Sequence, residues 1–479
     1  MNDTTDNTND TILNLKMDIF KMYLDYSLME HKKYQYEGVR WCLYNELFNE
    51  IKGGFIADEM GLGKTIMMIG TFISNILPKT LIVLPVVLLD QWYNQILKTT
   101  GHKAVIYHGK HKKKYDLQKL MDPSIRIVIT TYHAITISKS TTINILHNIK
   151  WNRLVFDEAH HLRNKKTEVF KGCQALQGDI RWLISGTPIQ NKKFDFYNLC
   201  ECIKLSQSFY TNPLNLMTIA KQFILKRTKA QVGINLPKIM VKNKVIEWTN
   251  NQEMTLAKEI HTSLQLFERI NGDTYIKNNQ MLSTMMLAKK ICIMPSMISN
   301  ENLKNMIKHG IISNNSPIHR EALKHSSKID AVVGLILQRK NNGNGKLIFC
   351  QFHYEIDQIA RKLIQGGMSR IATFDGRIKG DNRLNILTQD SDALIIQIQT
   401  GCEGLNLQDK FNEVYFVSPH WNPSIEEQAI GRCHRIGQTK IVHVYKFEME
   451  GETFITLDDY INNIQELKRN ITKNLFAQQ

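Results

Sequence analysis

Short runs of β-branched and apolar residues recur along the chain, each followed by polar turn residues and then by a longer stretch with helical spacing. Residues 81–84, 125–129, 154–156 and 182–184 form one series of runs; residues 347–350, 371–374, 394–398, 414–417 and 441–445 form a second. Buried strands of a parallel sheet, covered by helices on both faces, read as continuous runs of this kind. Two series predict two α/β lobes. Between them, residues 192–327 carry few strand signals. Within that stretch 252–270 and 280–291 predict helices, while 299–327, rich in Asn, Ser and His, predict loops. Asn341-Asn-Gly-Asn-Gly345 breaks the chain before the second lobe, and residues 453–476 predict a helical tail. No internal repeat with a solenoid period is present.

The length, 479 residues, exceeds that of a usual single domain. With 43% hydrophobic and 22% charged residues, a largely disordered chain is excluded. Lys and Arg number 61 against 45 for Asp and Glu, a net charge of +16 that points to a polyanionic partner, most commonly nucleic acid. The longest nearly unbroken apolar run, 81–89, contains Pro85 and is far too short to span a membrane. The opening MNDTTDNTND is polar and acidic, without secretory or transit character. Eight scattered cysteines include no CxxC, and sixteen histidines show no ligand spacing, so zinc is not expected. A reducing, intracellular setting fits this usage.

The candidate chemistry begins after the apolar run 55–57, at Asp58-Glu-Met-Gly-Leu-Gly-Lys-Thr65. Gly61 and Gly63 let the backbone turn its N–H groups towards an anion at the start of the helical run that follows. Lys64 is placed to reach the β- and γ-phosphates, and the Thr65 hydroxyl to ligate Mg²⁺. Asp58 stands where the generic phosphate-loop pattern has its first glycine. A second signal follows the run 154–156: Asp157, Glu158, Ala159 and His160. An aspartate at a strand's carboxyl end beside a phosphate loop can bind Mg²⁺, and Glu158, one residue on, is placed to orient or deprotonate water. The two signals together predict hydrolysis of ATP or a relative.

These motifs resemble those of the Swi/Snf family of DNA-dependent ATPases, within helicase superfamily two. The first two correspond to motifs I and II, and Leu183-Ile-Ser-Gly-Thr-Pro-Ile-Gln-Asn191 to motif III. Ile348-Phe-Cys-Gln-Phe352 matches motif IV and Gly401-Cys-Glu-Gly-Leu-Asn-Leu407 motif V. Gln428-Ala-Ile-Gly-Arg-Cys-His-Arg-Ile-Gly-Gln438 matches motif VI. Tyr34-Gln-Tyr-Glu-Gly38 with Trp41, Phe223-Ile-Leu-Lys-Arg-Thr-Lys229 and Trp421-Asn-Pro423 are also similar to family segments. Motif V departs from the family pattern, with Cys402 at a usual glycine and Glu403 at a usually apolar position.

The resemblance implies two RecA-like lobes with helical insertions between them, and ATP held where the lobes meet. The expected division is an N-terminal extension (1–29, its first part disordered), lobe one (30–191), a helical insertion and linker (192–327), lobe two (328–452) and the tail (453–479). It implies nucleotide contacts from Gln35, Asp58, Glu59, Met60, Gly61, Leu62, Gly63, Lys64, Thr65 and Gln428. Catalysis would rest on Lys64, Asp157, Glu158, Arg432 and Arg435, with Mg²⁺ on Thr65 and Asp157. The two arginines would reach the γ-phosphate, because a permanent guanidinium charge suits a transition state gathering negative charge. DNA contacts are expected by motif position at Pro85, Trp92, Thr130, Thr131, Tyr132, Gln351, Asn406 and Trp421. The basic cluster Lys110-His-Lys-Lys-Lys114 is expected to be a solvated loop.

The function expected is an ATP-driven translocase on double-stranded DNA that remodels protein–DNA complexes in chromatin, transcription or repair. Nucleosomes, RNA polymerase and repair proteins are the candidate partners. The alternatives are a DEAH-type RNA helicase, disfavoured by Ser-Gly-Thr-Pro in motif III, and a viral transcription-associated ATPase. The expected location is the nucleus, or a virion or viral factory for a viral chain.

Overall fold

A computed structural model of the chain describes residues 2–137, 144–186, 193–266, 279–314, 324–378, 385–387, 389–401 and 405–476. The chain divides into two compact α/β units, one reaching Asn235 and the other spanning Leu236–Ile471.

The first unit is built on a seven-stranded sheet. Its strands are β1 (Gly53–Ile56), β2 (Thr80–Leu84), β3 (Val105–Tyr107), β4 (Ile127–Thr131), β5 (Lys150–Asp157), β6 (Gln177–Ile184) and β7 (Ile224–Leu225). They lie side by side in the order β3-β4-β2-β5-β6-β1-β7, and every pairing is parallel. The side chains of β1, β2 and the end of β5 are buried on both faces, which is why their sequences read as apolar runs rather than alternating ones. The expected β2, β4, β5 and β6 are present; β3 and β7, two or three residues long, gave no sequence signal.

Helices α1 (Asn2–Tyr26), α2 (Lys33–Leu47), α3 (Lys64–Ser74) and α4 (Leu89–Thr100) pack in this unit. The expected disordered start is instead the helix α1. Its residues Leu13, Met17, Phe20 and Leu24 recur at helical spacing and are buried against α2 and α3. Burying side chains of this size contributes roughly 1.5–3 kcal/mol each, which offsets the weak propensity of the polar opening. The carboxylate of Glu46 at the end of α2 accepts from Arg153 (2.5 and 2.6 Å), Trp182 Nε1 (2.8 Å) and Asn75 (2.7 Å). This fully satisfied buried pair ties α2 to β5, β6 and the end of α3.

The second unit carries six parallel strands: β8 (Ile239–Ile246), β9 (Gly345–Cys350), β10 (Ile371–Phe374), β11 (Ala393–Gln397), β12 (Phe411–Phe416) and β13 (Val442–Met449). Their order is β10-β11-β9-β12-β13-β8. Here β8 is the unexpected strand. It is an exposed edge strand, so it lacks the buried apolar run that marks the others.

The segment 192–327 is not one insertion. Helices Lys193–Cys202 and Leu216–Phe223 add Leu199, Cys200, Ile219 and Phe223 to the core of the first unit. Helices Asn251–Ser263, Asn279–Ile293 and Asn300–Lys308 form a subsidiary core in the second, closed by Leu457, Tyr460 and Ile461 of the expected tail helix Leu457–Phe476. The division falls between Asn235 and Leu236, and apolar contact ties each half to its own unit. Residues 300–308, expected as loop, form a helix because Leu303 and Met306 are buried and Ser299 caps it by accepting from Asn302 N.

Candidate active site

Strand order assembles the site of the first unit. β6 lies between β5 and β1, with Ile184 level with both Asp157 and Ile56. The carboxyl ends of these three strands thus carry motif II, the start of motif III and motif I side by side, at the end of a parallel sheet where ligands bind. A Cβ on Gly186 would stand 3.7 Å from Lys64 Nζ, so the motif III turn lies directly against the phosphate loop. Thr187 to Asn191 lie outside the described residues.

Gly61 (φ 92°) and Gly63 (φ 78°) take left-handed backbone, and Gly63 is the N-cap of α3. The loop therefore ends at the positive end of a buried helix, which suits an anion. Lys64 donates to the carbonyl of Asp58 at 2.8 Å, and Thr65 is half-buried in the first turn of α3. Gln35, from α2, donates to the carbonyl of Leu62 (3.4 Å), and a Cβ on Gly63 would come within 2.3 Å of its amide nitrogen. Gln35 therefore sits on the phosphate loop itself.

Asp58 and Glu59, both expected on the nucleotide, have their carboxylates paired with cations of the segment 223–229. Arg227 grips Asp58 through Nε (3.1 Å), Nη2 (2.6 Å) and its backbone N–H (2.9 Å). Lys229 does the same for Glu59, through its amine (2.9 Å) and backbone N–H (2.8 Å). The segment 223–229 is thus the clamp that shapes the phosphate loop. Of the other loop residues, Leu62 is buried in the core and Met60 lies beside Gly186.

Motif II ends β5. The Asp157 carboxylate accepts from Trp92 Nε1 (2.7 Å) and from the backbone N–H of Glu158 (2.9 Å), and its carbonyl accepts from the Tyr132 hydroxyl (2.7 Å). Burial first, then the neighbouring Glu158 charge, raises its pKa well above the usual carboxylate range, while Lys64 lowers it. Glu158 adopts left-handed backbone (φ 50°), a conformation costly for a residue with a side chain. Its carboxylate lies 3.3 Å from His160 Nδ1, and Ala159 is buried. The Asp157 carboxylate, crowded by Glu158 and drawn by the Lys64 charge, and the Thr65 hydroxyl in the first turn of α3 are hard oxygen donors of the kind that suits Mg²⁺. Asp157 and Thr65 are the residues that would hold it.

Most residues expected on DNA have other work. Trp92 is 1% exposed and serves Asp157. Tyr132 is buried on the same aspartate, Thr130 donates to the carbonyl of Tyr107 (2.8 Å), and Thr131 is buried beside His108 (3.3 Å). Pro85 is buried too. The side chains of these five are buried, at the ends of β2 and β4 and, for Trp92, on the inner face of α4. In the second unit, Gln351 donates to the carbonyl of Pro419 (3.2 Å). Trp421 packs edge-on against Tyr460, with Lys289 over its ring. Asn406 is exposed and accepts from the Arg435 guanidinium.

Motif VI begins in the last turn of the helix Pro423–Ile430. Gln428 is buried in that helix, and Arg432 and Arg435 are half-buried just beyond it. Burial, then the charge of Arg432, lowers the pKa of Arg435, but a guanidinium stays charged. Gln438 fixes the turn: its amide donates to the carbonyls of Gln408, Cys433 and Phe411, and its oxygen accepts from the N–H groups of Thr439 and Lys440. Cys402, Glu403 and Gly404, the departures in motif V, lie outside the described residues. Among the described residues no cluster of three or more His, Cys, Asp or Glu is arranged to hold a metal, and no helix is long and apolar enough to cross a membrane.

Fold and site together define a P-loop nucleotide-binding unit of helicase type, joined in one chain to a second parallel α/β unit. The chain belongs to the SNF2-related domain family, which matches residues 34–297, and residues 327–437 match the helicase conserved C-terminal domain. The DEAH-box label suggested by residues 157–160 gives way to the DEAD-like assignment of that family. The chain is 29% identical over 452 residues to human chromodomain-helicase-DNA-binding protein 7, covering 87% of this chain and 15% of that protein. It is 26% identical to the ATP-dependent DNA helicase DDM1 of Arabidopsis thaliana, over 87% of this chain and 58% of the relative. It thus spans well under two thirds of both. It is also 26% identical to a probable global transactivator of Orgyia pseudotsugata multicapsid polyhedrosis virus, over 94% of this chain and 91% of that one. Among solved structures, the Sulfolobus solfataricus SWI2/SNF2 ATPase core in complex with dsDNA is 25% identical, covers 94% of this chain and 93% of its own, and has a TM-score of 0.38.

Proposed function

We propose that the protein is a DNA-dependent ATPase that uses ATP hydrolysis to move along double-stranded DNA and to remodel protein–DNA complexes. The observation that carries this reading is the placement of Gly63, Lys64 and Glu158 just beyond the carboxyl ends of β1 and β5, the strands on either side of β6, in a chain of the SNF2-related family. Lys64 and the α3 N-terminus would hold the phosphates, Gln35 the base, and Glu158 would orient and deprotonate water. Mg²⁺ bound at Thr65 and Asp157 would supply charge neutralisation on the phosphates. Arg432 and Arg435 would add cationic stabilisation in the transition state, and Gln428 would support them. DNA would be held mainly through phosphates, because a motor must accept any sequence.

The test is ATP turnover with and without duplex DNA, together with displacement of a third strand from a triplex. Turnover should rise on adding duplex and the third strand should leave only with ATP, while a forked duplex stays paired. Equal turnover with and without DNA, or efficient fork opening, overturns the reading.

For the setting, the match to nearly the full length of a viral transactivator favours transcription-linked work in a viral factory or nucleus. Co-purification with RNA polymerase, rather than with histones or repair proteins, distinguishes that setting from chromatin.

A further inference from the structure

Helix α1 carries two apolar stripes. One, through Leu13, Met17, Phe20 and Leu24, is buried in the first unit. The other runs through Ile12, Leu15, Ile19, Met22 and Tyr26 and faces solvent, with Leu15 63%, Met22 69% and Tyr26 78% exposed. Its spacing alternates three and four residues, the 3.5-residue repeat with which one helix packs along another. Scattered exposed apolar residues are ordinary, but five in heptad register mark an interaction surface. An added strand would meet side chains at a period of two, so this spacing selects a helix.

The ground beside the stripe is also shaped. Ile19, Met22 and Tyr26 border an open apolar cavity of about 540 Å³, whose far side is formed by Ile73, Ile76 and Leu77 after and along α3. Ile76 is itself 64% exposed. The charges on the two flanks differ in sign. Asp18 and Asp25, each one residue before a stripe position, are exposed along one edge, with Lys21 between them and His31 2.8 Å from Asp25, whereas the exposed Arg126 borders the cavity on the other.

We propose that α1 and this cavity form the docking site for an amphipathic helix of a partner protein. That helix presents aliphatic residues at heptad positions, basic residues towards Asp18 and Asp25, and acidic residues towards Arg126. Antiparallel pairing with a second copy fits less well, because it brings the aspartate edge of each α1 against the same edge of the other. The inference is independent of the ATPase reading, since none of these residues belongs to the nucleotide site.

The probe is a synthetic three-heptad peptide with Leu at the a and d positions, Lys along one flank and Glu along the other, compared with the same peptide with Lys and Glu exchanged. Binding to the full chain is read by calorimetry. The first peptide should bind roughly tenfold more tightly than the exchanged one at low salt. The double variant Leu15→Glu, Met22→Glu should lose at least that factor while unfolding at the wild-type temperature and keeping its basal ATP turnover, because both side chains are exposed. Equal binding of both peptides, or binding that the double variant retains, overturns the proposal. A dimer in light scattering that the same variant dissolves also overturns it, by assigning the surface to self-association.

Discussion

Arg227 and Asp58 lie 169 residues apart in the chain and meet in a three-bond clamp, two bonds from the guanidinium and one from the backbone N–H, on a carboxylate that is fully buried. Asp58 opens the phosphate loop, so its geometry depends on a residue beyond the last strand of the first sheet. A buried carboxylate that loses its cation is left uncompensated, at a cost of about 3–5 kcal/mol. Arg227→Ala should therefore lower the unfolding free energy of the first unit by that order and weaken nucleotide binding with it. Chemical denaturation and titration with a fluorescent nucleotide check both. Arg227→Lys, which keeps charge but not the fork, should recover only part of the loss.

Trp92→Phe keeps the ring in place and removes the N–H that holds Asp157 Oδ2. The aspartate should then be harder to ionise and less well aimed, so ATP turnover should fall about tenfold or more, within the roughly 10- to 100-fold loss that follows removal of a hydrogen bond to a metal-binding carboxylate. DNA affinity should be unchanged, which separates this support role from a DNA contact. A parallel loss of DNA binding would return Trp92 to the DNA surface.

Glu158→Gln should bind ATP and hydrolyse it roughly 10²–10⁴-fold more slowly, the range for removing a positioned general base. Lys64→Ala should lose binding as well, because its amine is a ground-state phosphate contact. Single-turnover hydrolysis measured beside nucleotide affinity distinguishes the two.

Asn406 accepts from the Arg435 guanidinium, so Asn406→Ala should release that arginine from its set direction. Removing an arginine that stabilises the transition-state charge costs on the order of 10³-fold or more in rate. Misdirecting one should cost less, so the variant should hydrolyse ATP more slowly than wild type but faster than Arg435→Ala. If Asn406→Ala instead weakens DNA binding alone, Asn406 belongs to the track and not to the arginine.

Glu253 supplies the pH dependence. Its carboxylate is buried and accepts from the N–H (3.1 Å) and hydroxyl (2.6 Å) of Ser327, yet burial outweighs these bonds and pushes its pKa up to about 7. The folded state therefore holds this proton more tightly than the unfolded chain, and stability falls as pH rises from the unfolded value near 4.5 towards 7. Glu253→Gln, which keeps an acceptor without the charge, should be near neutral at pH 5 and stabilising by on the order of 1–3 kcal/mol at pH 8. Denaturation midpoints of the two proteins at both pH values give the comparison.

The phosphate loop, the Asp157–Glu158 pair and two parallel α/β units were legible in the residues themselves, whereas Arg432 and Arg435 came only through the family resemblance. Each is local: a run of neighbours whose backbone freedom, charge and apolar period are set within a few positions of one another. What holds those groups was not legible. Trp92 looked like a DNA contact because nothing near it in the chain says that β5, paired beside β2, brings Asp157 to its indole, 65 residues on. Arg227 and Lys229 looked like a family-like segment of unstated purpose until β7 paired with β1 and laid them along the loop. The exposed strand β8 and the two-part fate of residues 192–327 were hidden for the same reason. A local pattern fixes what a residue can do, but strand order and burial decide which partner, tens or hundreds of residues away, it does it with.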